Sequence, residues 1–265
     1  MNGKLEFVGA GLRARPPAMR PVMDKRAGAE AGPYDISTNP DLWRARIAHP
    51  NSPPERKIYM TITYEYEGAL YVNLTNKCNC NCAFCLRHGK AEGSIYTEDS
   101  LWLEREPTRQ EALDSFLSRD VCAYREIVFC GYGEPTYRLD DILWLVDTLK
   151  ERFGDKLPPV RINTNGHASL IHGRDVCPEL AGRIDTLSIS LNAANAADYA
   201  ALCRPIQGEA AYQAMLDFAR TAKAHVPNVV MTIVDKDKTE EEIQTCYRIA
   251  ADLGVTLRVR SFIDS

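Results

Sequence analysis

Residues 73–85 of this 265-residue chain read NLTNKCNCNCAFC and hold four of its nine cysteines within eight positions. Three of these, Cys78, Cys82 and Cys85, follow the spacing C-x3-C-x2-C. Thiolates packed this closely cannot form unstrained disulfides with one another, but they can share a soft metal centre. A four-iron cluster takes four ligands, so three cysteines leave one iron open for a small molecule. We interpret this loop, which follows a short β-type run at residues 70–75, as the reactive centre.

Two other interpretations of the loop stay open at the level of sequence. Cys78, Cys80, Cys82 and Cys85 together could bind a structural zinc, since such sites use four thiolates. A C-x-C-x-C run crowds one side of a tetrahedron, however, and zinc sites usually take ligands from two separated pairs. The loop could also hold buried free thiols, although its asparagine-rich composition argues against burial. We expect Cys80 not to be a ligand.

The composition is that of a soluble globular protein with a sizeable core, at 45% hydrophobic and 26% charged residues. The formal net charge of −4 favours no polyanionic partner, so nucleic acid is not indicated for the core. No apolar run approaches the roughly 20 residues of a membrane span, and we expect no secretory signal. Nine cysteines, an odd number with uneven spacing, predict a reducing cytoplasm rather than a disulfide framework.

The first 57 residues differ from the rest of the chain. They are rich in Gly, Ala and Pro and carry ten Lys or Arg against six Asp or Glu. A short helix is predicted at residues 42–47, and the prolines of residues 50–54 indicate a linker. We expect residues 1–57 to form an irregular basic extension and residues 58–265 to form the core domain. An arm of this kind can also contact nucleic acid or a protein partner.

Beyond residue 60, predicted strands and helices alternate. The strands cover residues 61–66, 69–75, 126–130, 160–164, 186–191, 229–234 and 255–261, and a hairpin turn at Glu67-Gly68 joins the first two. Capping boxes begin helices at Thr108 and Thr239. Further helices are predicted at residues 139–153, around residues 168–180 and within residues 196–224. Counted from Tyr71, six strands are separated by helical segments, which argues for an α/β fold with a parallel sheet.

Polar motifs fall at the ends of these predicted strands. The run Gly131-Tyr132-Gly133-Glu134-Pro135 follows one strand, and its glycines would let the backbone approach a ligand closely. Asn163 and Asn165 share one face at the end of the next strand. The strand after it turns three polar side chains to one face: Ser188, Ser190 and Asn192. A polar inward row predicts a lumen that holds a hydrogen-bonding ligand, unless these groups satisfy one another.

Arginines supply candidate anion contacts. Arg204 suits a carboxylate because its planar fork recognises two oxygens, although a surface ion pair explains it equally well. The last predicted strand turns Arg258 and Arg260 to one face, and two inward guanidiniums need an anionic partner. They hint at a carboxylate- or phosphate-bearing substrate, while Asp235 could equally be their internal counter-ion.

The cysteine spacing, with Phe84 before the last cysteine, resembles the radical S-adenosylmethionine (radical SAM) superfamily. The resemblance implies the partial (β/α)6 barrel that these enzymes share, which is TIM-like and has its chemistry at the carboxyl ends of the strands. It also implies a [4Fe–4S] cluster on Cys78, Cys82 and Cys85, S-adenosylmethionine on the open iron, and a low-potential electron donor such as flavodoxin or ferredoxin. S-adenosylmethionine would be split to methionine and a 5′-deoxyadenosyl radical.

The same resemblance implies roles for other side chains. Phe84 would lie near the adenine of S-adenosylmethionine. The run 131–135 resembles the Gly-Gly-Glu-Pro motif of the superfamily, so Gly133 and Glu134 would receive the amino group, with Tyr132 in place of the first Gly of that pair. Ser190 and Asn192 would contact the ribose or the methionine part, with the help of Asn163 or Asn165. Arg204 is, from its own chemistry, the candidate for a carboxylate of S-adenosylmethionine or of the substrate.

Residues 100–107, together with residues 71–76, 129–135, 191–193 and 258–260, resemble the TatD-associated radical SAM proteins. The similarity covers the chain from about Met60 to its end and implies no particular substrate. Trp102, Glu104 and Arg105 would form a lid over the barrel mouth or clamp this segment to the barrel wall. Two alternatives remain for the function: an enzyme that activates a protein partner or modifies a peptide, and a non-catalytic zinc module whose basic arm binds nucleic acid.

Overall fold

The computed structural model describes residues 60–85, 87 and 101–261. The predicted extension, its boundary near residue 57, its short helix and most of the short helix expected after Cys85 lie outside the described residues. Of the helices that are described, none is long and apolar enough to cross a lipid bilayer.

Seven strands form one sheet in the order of the sequence. The strands are β1 Thr63–Tyr66, β2 Ala69–Val72, β3 Ile127–Phe129, β4 Val160–Thr164, β5 Thr186–Ser190, β6 Asn228–Val234 and β7 Thr256–Arg260. The hairpin strands β1 and β2 are antiparallel, and every later neighbour is parallel. The predicted α/β fold with a partial TIM-like barrel of six parallel strands is therefore confirmed.

Seven α-helices lie between these strands in the described part of the chain: α1 Arg109–Leu117, α2 Leu139–Phe153, α3 Ala168–His172, α4 Cys177–Leu180, α5 Ala196–Cys203, α6 Ala210–Ala222 and α7 Glu240–Leu253. Thr108 and Thr239 close the two predicted capping boxes, because each side chain accepts the N–H of a glutamate three residues on. Gly254 ends α7 in the left-handed conformation, at a φ of 68°.

The predicted single helix around residues 168–180 is wrong. Gly173 adopts a φ of 64° after α3, a conformation that glycine reaches without strain and that ends a helix. The chain then turns, and α4 begins where Asp175 Oδ1 accepts the N–H of Cys177 at 2.9 Å. Two short helices therefore replace one longer helix.

The sheet has one apolar and one polar face. The apolar face packs against the helices through fully buried side chains such as Ile127, Ile162, Leu187, Ile189 and Met231. Along β5 the alternate side chains, Ser188 and Ser190, point the other way. Arg258 of β7 lies near enough to Tyr71 of β2 for the tyrosine to influence its pKa, although five strand positions separate them. The sheet is therefore rolled, with its polar face inward.

Candidate metal centre

The cysteine loop, residues 73–85, is held by main-chain hydrogen bonds to the end of α5. The N–H groups of Asn81 and Ala83 donate to the carbonyl oxygens of Cys203 and Leu202 at 3.0 and 2.9 Å, and Ile206 N–H donates to Asn79 O at 2.9 Å. The two segments therefore lie side by side as neighbouring strands do. This arrangement gives an irregular loop a fixed backbone.

Gly131 and Gly133 let the turn after β3 pack against the cysteine loop. A Cβ at Gly133 would lie 2.6 Å from Lys77 O, and one at Gly131 would lie 2.7 Å from Asn73 Cγ. Glu134 N–H donates to Lys77 O at 2.7 Å. The space beside both Cα atoms is filled by the protein's own chain, whereas we expected these glycines to make room for a ligand.

Glu134 joins the ends of β3 and β4. Its side chain is buried, and Oε1 accepts from Thr136 N–H, Thr136 Oγ1 and Thr164 Oγ1 at 3.1, 2.7 and 2.8 Å. Oε2 accepts from Asn165 N–H at 2.7 Å. Burial raises the pKa of the carboxyl above its usual value. Oε1 is thus saturated, while Oε2 retains a lone pair for a further donor.

Asn165 places the end of β4 against the cysteine loop. Its Nδ2 donates to Asn79 Oδ1 at 2.7 Å and lies 3.5 Å from Cys80 Sγ and 3.9 Å from Cys78 Sγ. Asn163 is two residues earlier on the same face, and it hydrogen-bonds Cys130. The predicted pair therefore divides: Asn165 contacts the loop, and Asn163 faces the lumen.

His167, just after β4, hydrogen-bonds the cysteine loop through Asn79, and the sequence analysis did not identify it. The imidazole is fully buried, with Nε2 3.1 Å from Ala211 O and Nδ1 2.9 Å from Asn79 Nδ2. A carbonyl oxygen only accepts, so we assign the proton to Nε2, and Nδ1 accepts from Asn79. Tyr199 OH lies 3.2 Å from Nε2. Desolvation lowers the pKa of His167 to about 4, so the ring is neutral at neutral pH.

The thiols of the loop differ in their acidity. A hydrogen bond from the Cys80 thiol lowers the pKa of Cys78. The Cys203 thiol, and after it that of Cys80, lowers the pKa of Cys82 to about 3. The same contacts raise the pKa of Cys80, and burial raises the pKa of Cys85. The Cys80 thiol is therefore a donor to both Cys78 and Cys82.

Cys203 is a second residue whose place the sequence did not show. Its side chain is buried, as that of a small hydrophobic residue would be. It nevertheless lies against Cys82 and accepts from Asn192 Nδ2 at 3.4 Å. Asn192 has a φ of 58°, and its buried Oδ1 has no hydrogen-bond partner within the part of the chain that is described. The unpaired Oδ1 thus belongs to a residue that contacts the cysteine loop through Cys203.

Three other residues predicted to contact S-adenosylmethionine are more exposed than Glu134 and Asn192. Phe84 is half-buried in the loop, and Ser190 is half-buried at the end of β5. Arg204 ends α5 at a φ of 46°, and its side chain is exposed. Its carbonyl oxygen, rather than its guanidinium, contacts the loop through Asn81 N–H at 3.2 Å.

The segment 101–107 is clamped to the barrel wall in its described part. Asn73 Nδ2 donates to Leu101 O at 2.7 Å, and Asn76 exchanges two hydrogen bonds with the main chain of Leu103. Arg105 pairs with Glu111 of α1. Of the three residues predicted as a lid or a clamp, Arg105 therefore holds the segment to α1, whereas Glu104 is exposed and Trp102 has 54% of its surface exposed.

A cavity of about 450 Å³ lies away from this site. It is lined by Lys150, Pro159 and Asp185 among others, and the last two directly precede β4 and β5. It therefore opens at the amino ends of the strands, opposite to the cysteine loop.

A family model of the radical SAM superfamily matches residues 72–250, from the end of β2 into α7, with the cysteine loop included. The chain belongs to the radical SAM superfamily. Members of this superfamily use a [4Fe–4S] cluster and S-adenosylmethionine.

Curated relatives of this radical SAM protein include two enzymes. The chain is 33% identical over 132 residues to the dual-specificity RNA methyltransferase RlmN of Hyphomonas neptunium, which covers 48% of this chain and 32% of that protein. It is 26% identical over 216 residues to a GTP 3′,8-cyclase of a Synechococcus species, which covers 74% of this chain and 56% of that protein. The chain therefore spans about a third and just over half the length of these relatives.

Solved structures show the same fold at low sequence identity. HydG, a maturase of the [FeFe]-hydrogenase, matches 74% of this chain and 43% of its own at a TM-score of 0.53 and 15% identity. Streptococcus suis SuiB bound to S-adenosylmethionine matches 74% of this chain and 40% of its own at a TM-score of 0.52 and 13% identity. TYW1 with a lysine-pyruvate adduct matches 74% and 65% at a TM-score of 0.52 and 12% identity.

The donor set of the loop fits the cluster of this superfamily. All nine cysteines lie in the described ranges, and all are free thiols; Cys78, Cys82 and Cys85 are partly exposed. Across residues 60–85, 87 and 101–261, no three His, Cys, Asp or Glu side chains are placed to hold a single metal ion. A four-iron cluster separates its thiolates more widely than one ion does, because each thiolate binds a different iron. Membership of the radical SAM superfamily therefore favours a cluster over the zinc interpretation.

Proposed function

We propose that this chain is a radical SAM enzyme whose [4Fe–4S] cluster is held by Cys78, Cys82 and Cys85. The observation that carries the proposal is the place of these thiols within the matched span, at the carboxyl edge of the rolled sheet, with Asn165 and Glu134 packed against their loop. When bound, the cluster supplies one electron that splits S-adenosylmethionine into methionine and a 5′-deoxyadenosyl radical, which takes a hydrogen atom from the substrate.

The residues around the loop have separate tasks in this proposal. Cys80 is not a ligand, because its thiol donates to its neighbours and its side chain is 4% exposed. Asn165 and His167, which follow β4, hold the loop in place through hydrogen bonds to Asn79. The site thus keeps its shape through buried hydrogen bonds that do not depend on the cluster.

Open acceptors and half-buried side chains would orient S-adenosylmethionine. Glu134 Oε2 and the main chain at Gly133 receive its amino group, and Asn192 Oδ1 accepts from its ribose. Ser190 and Asn163 face the same lumen, and Phe84 packs near the adenine. Arg204 as a carboxylate contact stays a prediction, since its side chain is exposed.

We propose further that the protein is of the TatD-associated type, with its catalytic domain beginning near residue 58. Free thiols at all nine cysteines support a reducing cytoplasm as its compartment. A reduced flavodoxin or ferredoxin would deliver the electron. The substrate is a small molecule or a peptide that enters the lumen from the carboxyl ends of the strands.

Metal analysis of anaerobically purified protein tests the ligand assignment. We expect about four irons per chain in the wild type and in Cys80→Ala, and loss of iron in Cys78→Ala, Cys82→Ala and Cys85→Ala. Cys122→Ala is the matched control, because Cys122 is exposed between α1 and β3. One zinc per chain, or iron lost from Cys80→Ala alone, would contradict the assignment.

A further inference from the structure

Three arginines project from the polar face of the sheet into the lumen. Arg161 shares the face of Asn163 on β4, and Asn163 aligns with Ser188 on β5. The register continues from Ser190 through β6 to Arg258 on β7, with Arg260 two residues later. We call Arg161, Arg258 and Arg260 the arginine cluster.

The members of the arginine cluster lie within electrostatic range of one another across the lumen. Arg161 and Arg260 both influence Arg258, as do Tyr71 of β2 and Glu126 before β3. Arg260 also influences Cys130, at the end of β3. Since β7 is three to five positions from β4, β3 and β2 in the sheet, these side chains approach one another only because the sheet is rolled.

The arginine cluster carries more charge than its contacts balance. Arg161 has 11% of its side chain exposed, and its Nη2 lies 3.1 Å from Glu126 Oε1. Glu126 is shared with Arg125 at 3.5 Å, and Asp235 follows β6 beside Arg260, so three guanidiniums of the cluster stand against two neighbouring carboxylates, one of which is shared. Arg161 is half-buried, whereas Arg258 and Arg260 are exposed, so the cluster opens to solvent and can take up an anion from it.

Unpaired polar atoms mark the same place. Neither Arg161 Nε nor Asn163 Oδ1, both buried, has a hydrogen-bond partner among residues 60–85, 87 and 101–261. Buried donors and acceptors normally find partners, and an unpaired one costs about 1–3 kcal/mol. One donor and one acceptor, two residues apart on one face, therefore await a ligand that both accepts and donates.

We propose that the arginine cluster binds the phosphate group of an organic phosphate monoester, the substrate of this enzyme. The inference rests on the proposed function and adds the substrate class to it. Phosphate matches the cluster better than a carboxylate does, because it offers three terminal oxygens and a charge close to −2. Asn163 Oδ1 then accepts from a hydroxyl or amine elsewhere on the molecule.

The spacing along β4 orients that substrate. Asn165, which contacts the cysteine loop, lies four positions after Arg161, so their Cα atoms are about 13 Å apart at the rise of a strand. The phosphate is bound at the arginine cluster, and the remainder of the molecule extends toward the loop. A molecule of the size of a sugar phosphate or a nucleotide covers most of this distance.

Binding of inorganic phosphate to the full-length, cluster-loaded protein tests the site. Calorimetry at constant ionic strength compares phosphate, acetate and chloride for the wild type, Arg258→Gln and Arg161→Gln. Each substitution should weaken phosphate binding roughly tenfold or more, as expected for loss of a charged hydrogen bond. Arg258→Lys, which keeps the charge without the fork, should lie between, and thermal unfolding shows that each variant is folded. Arg248→Gln on the exposed side of α7 is the control, expected to stay within about twofold.

Several outcomes would overturn the site. These are no phosphate binding by the wild type, equal binding by all variants, or acetate bound as tightly as phosphate. If the substitutions weaken S-adenosylmethionine binding by the same factor, the arginines hold the carboxylate of S-adenosylmethionine instead. Failure of the proposed function is recognised separately: phosphate binding then responds to the arginines, while the wild type forms no 5′-deoxyadenosine.

Discussion

The imidazole of His167 accepts a hydrogen bond from Asn79, with 2.9 Å between Nδ1 and Nδ2, and both residues are almost fully buried. Asn79 lies between Cys78 and Cys80, so this one contact ties the cysteine loop to the end of β4. The opposite nitrogen of the ring contacts α6 through Ala211 O. A single neutral side chain therefore links the loop to two elements of the barrel.

Replacing His167 with Ala should loosen the loop. The change removes the partner of Asn79 Nδ2 and leaves Ala211 O with one donor fewer, which costs about 1–3 kcal/mol of unfolding free energy. Urea unfolding and iron content measure the two effects. His225→Ala, at a half-buried position after α6, is the control. A His167→Ala protein with wild-type stability and full iron content would show that the contact has no positioning role.

The low pKa of His167 predicts acid sensitivity. The group binds its proton near pH 4 when folded and near 6.5 when unfolded, so the unfolded state takes up more protons between these values. The contribution of the neutral ring to the free energy of unfolding is fully present above pH 6.5. It is lost as the pH falls toward 4, by roughly 3 kcal/mol in total. Unfolding free energies at several pH values should show the slope, and His167→Gln should flatten it. An unchanged slope in that variant would assign the acid sensitivity to other groups.

Glu134→Gln keeps the size of the side chain but removes its charge and one acceptor oxygen. The amide turns an N–H toward at least one of the donors from Thr136, Thr164 or Asn165, so we expect a loss of about 1–3 kcal/mol in stability. Affinity for S-adenosylmethionine should fall as well, because Oε2 loses its charge. Glu151→Gln on the exposed side of α2 provides the comparison. Full stability with weakened S-adenosylmethionine binding would mean that the carboxylate serves the ligand alone.

Gly133→Ala should separate the turn after β3 from the cysteine loop. The added Cβ meets backbone oxygens of Thr75 and Lys77, and backbone cannot move aside as a flexible side chain can. We expect a loss of about 1–3 kcal/mol and reduced iron content. Gly182→Ala adds a Cβ with nothing within 4 Å at a φ of 70°, so it reports backbone strain alone. Equal losses in the two variants would argue against the steric explanation.

The elements could be predicted because their signals are local. Thr108 and Thr239 mark helix starts through residues three positions on, and the alternation of Ser188 with Ile189 shows which face of β5 is polar. The strand ends that meet at the cysteine loop follow from the parallel order. Local patterns were therefore enough to predict the strands of the sheet and the position of Asn165 at the end of β4.

Contacts between distant residues could not be predicted in this way. Cys203 reaches Cys82 across 121 positions, and His167 reaches Asn79 across 88, and neither pair has a spacing that indicates contact. The same holds for Glu134, whose four donors come from the turn after β3 and from the end of β4. In each case the deciding quantity is a distance set by the rolled sheet.

Formation of 5′-deoxyadenosine tests the central claim most directly. The cluster-loaded protein is reduced with dithionite in the presence of S-adenosylmethionine, and the product is quantified by mass spectrometry. We predict 5′-deoxyadenosine from the wild type and from Cys122→Ala, and none from Cys82→Ala. Absence of 5′-deoxyadenosine from wild-type protein that holds about four irons per chain would contradict the assignment of radical chemistry to this loop.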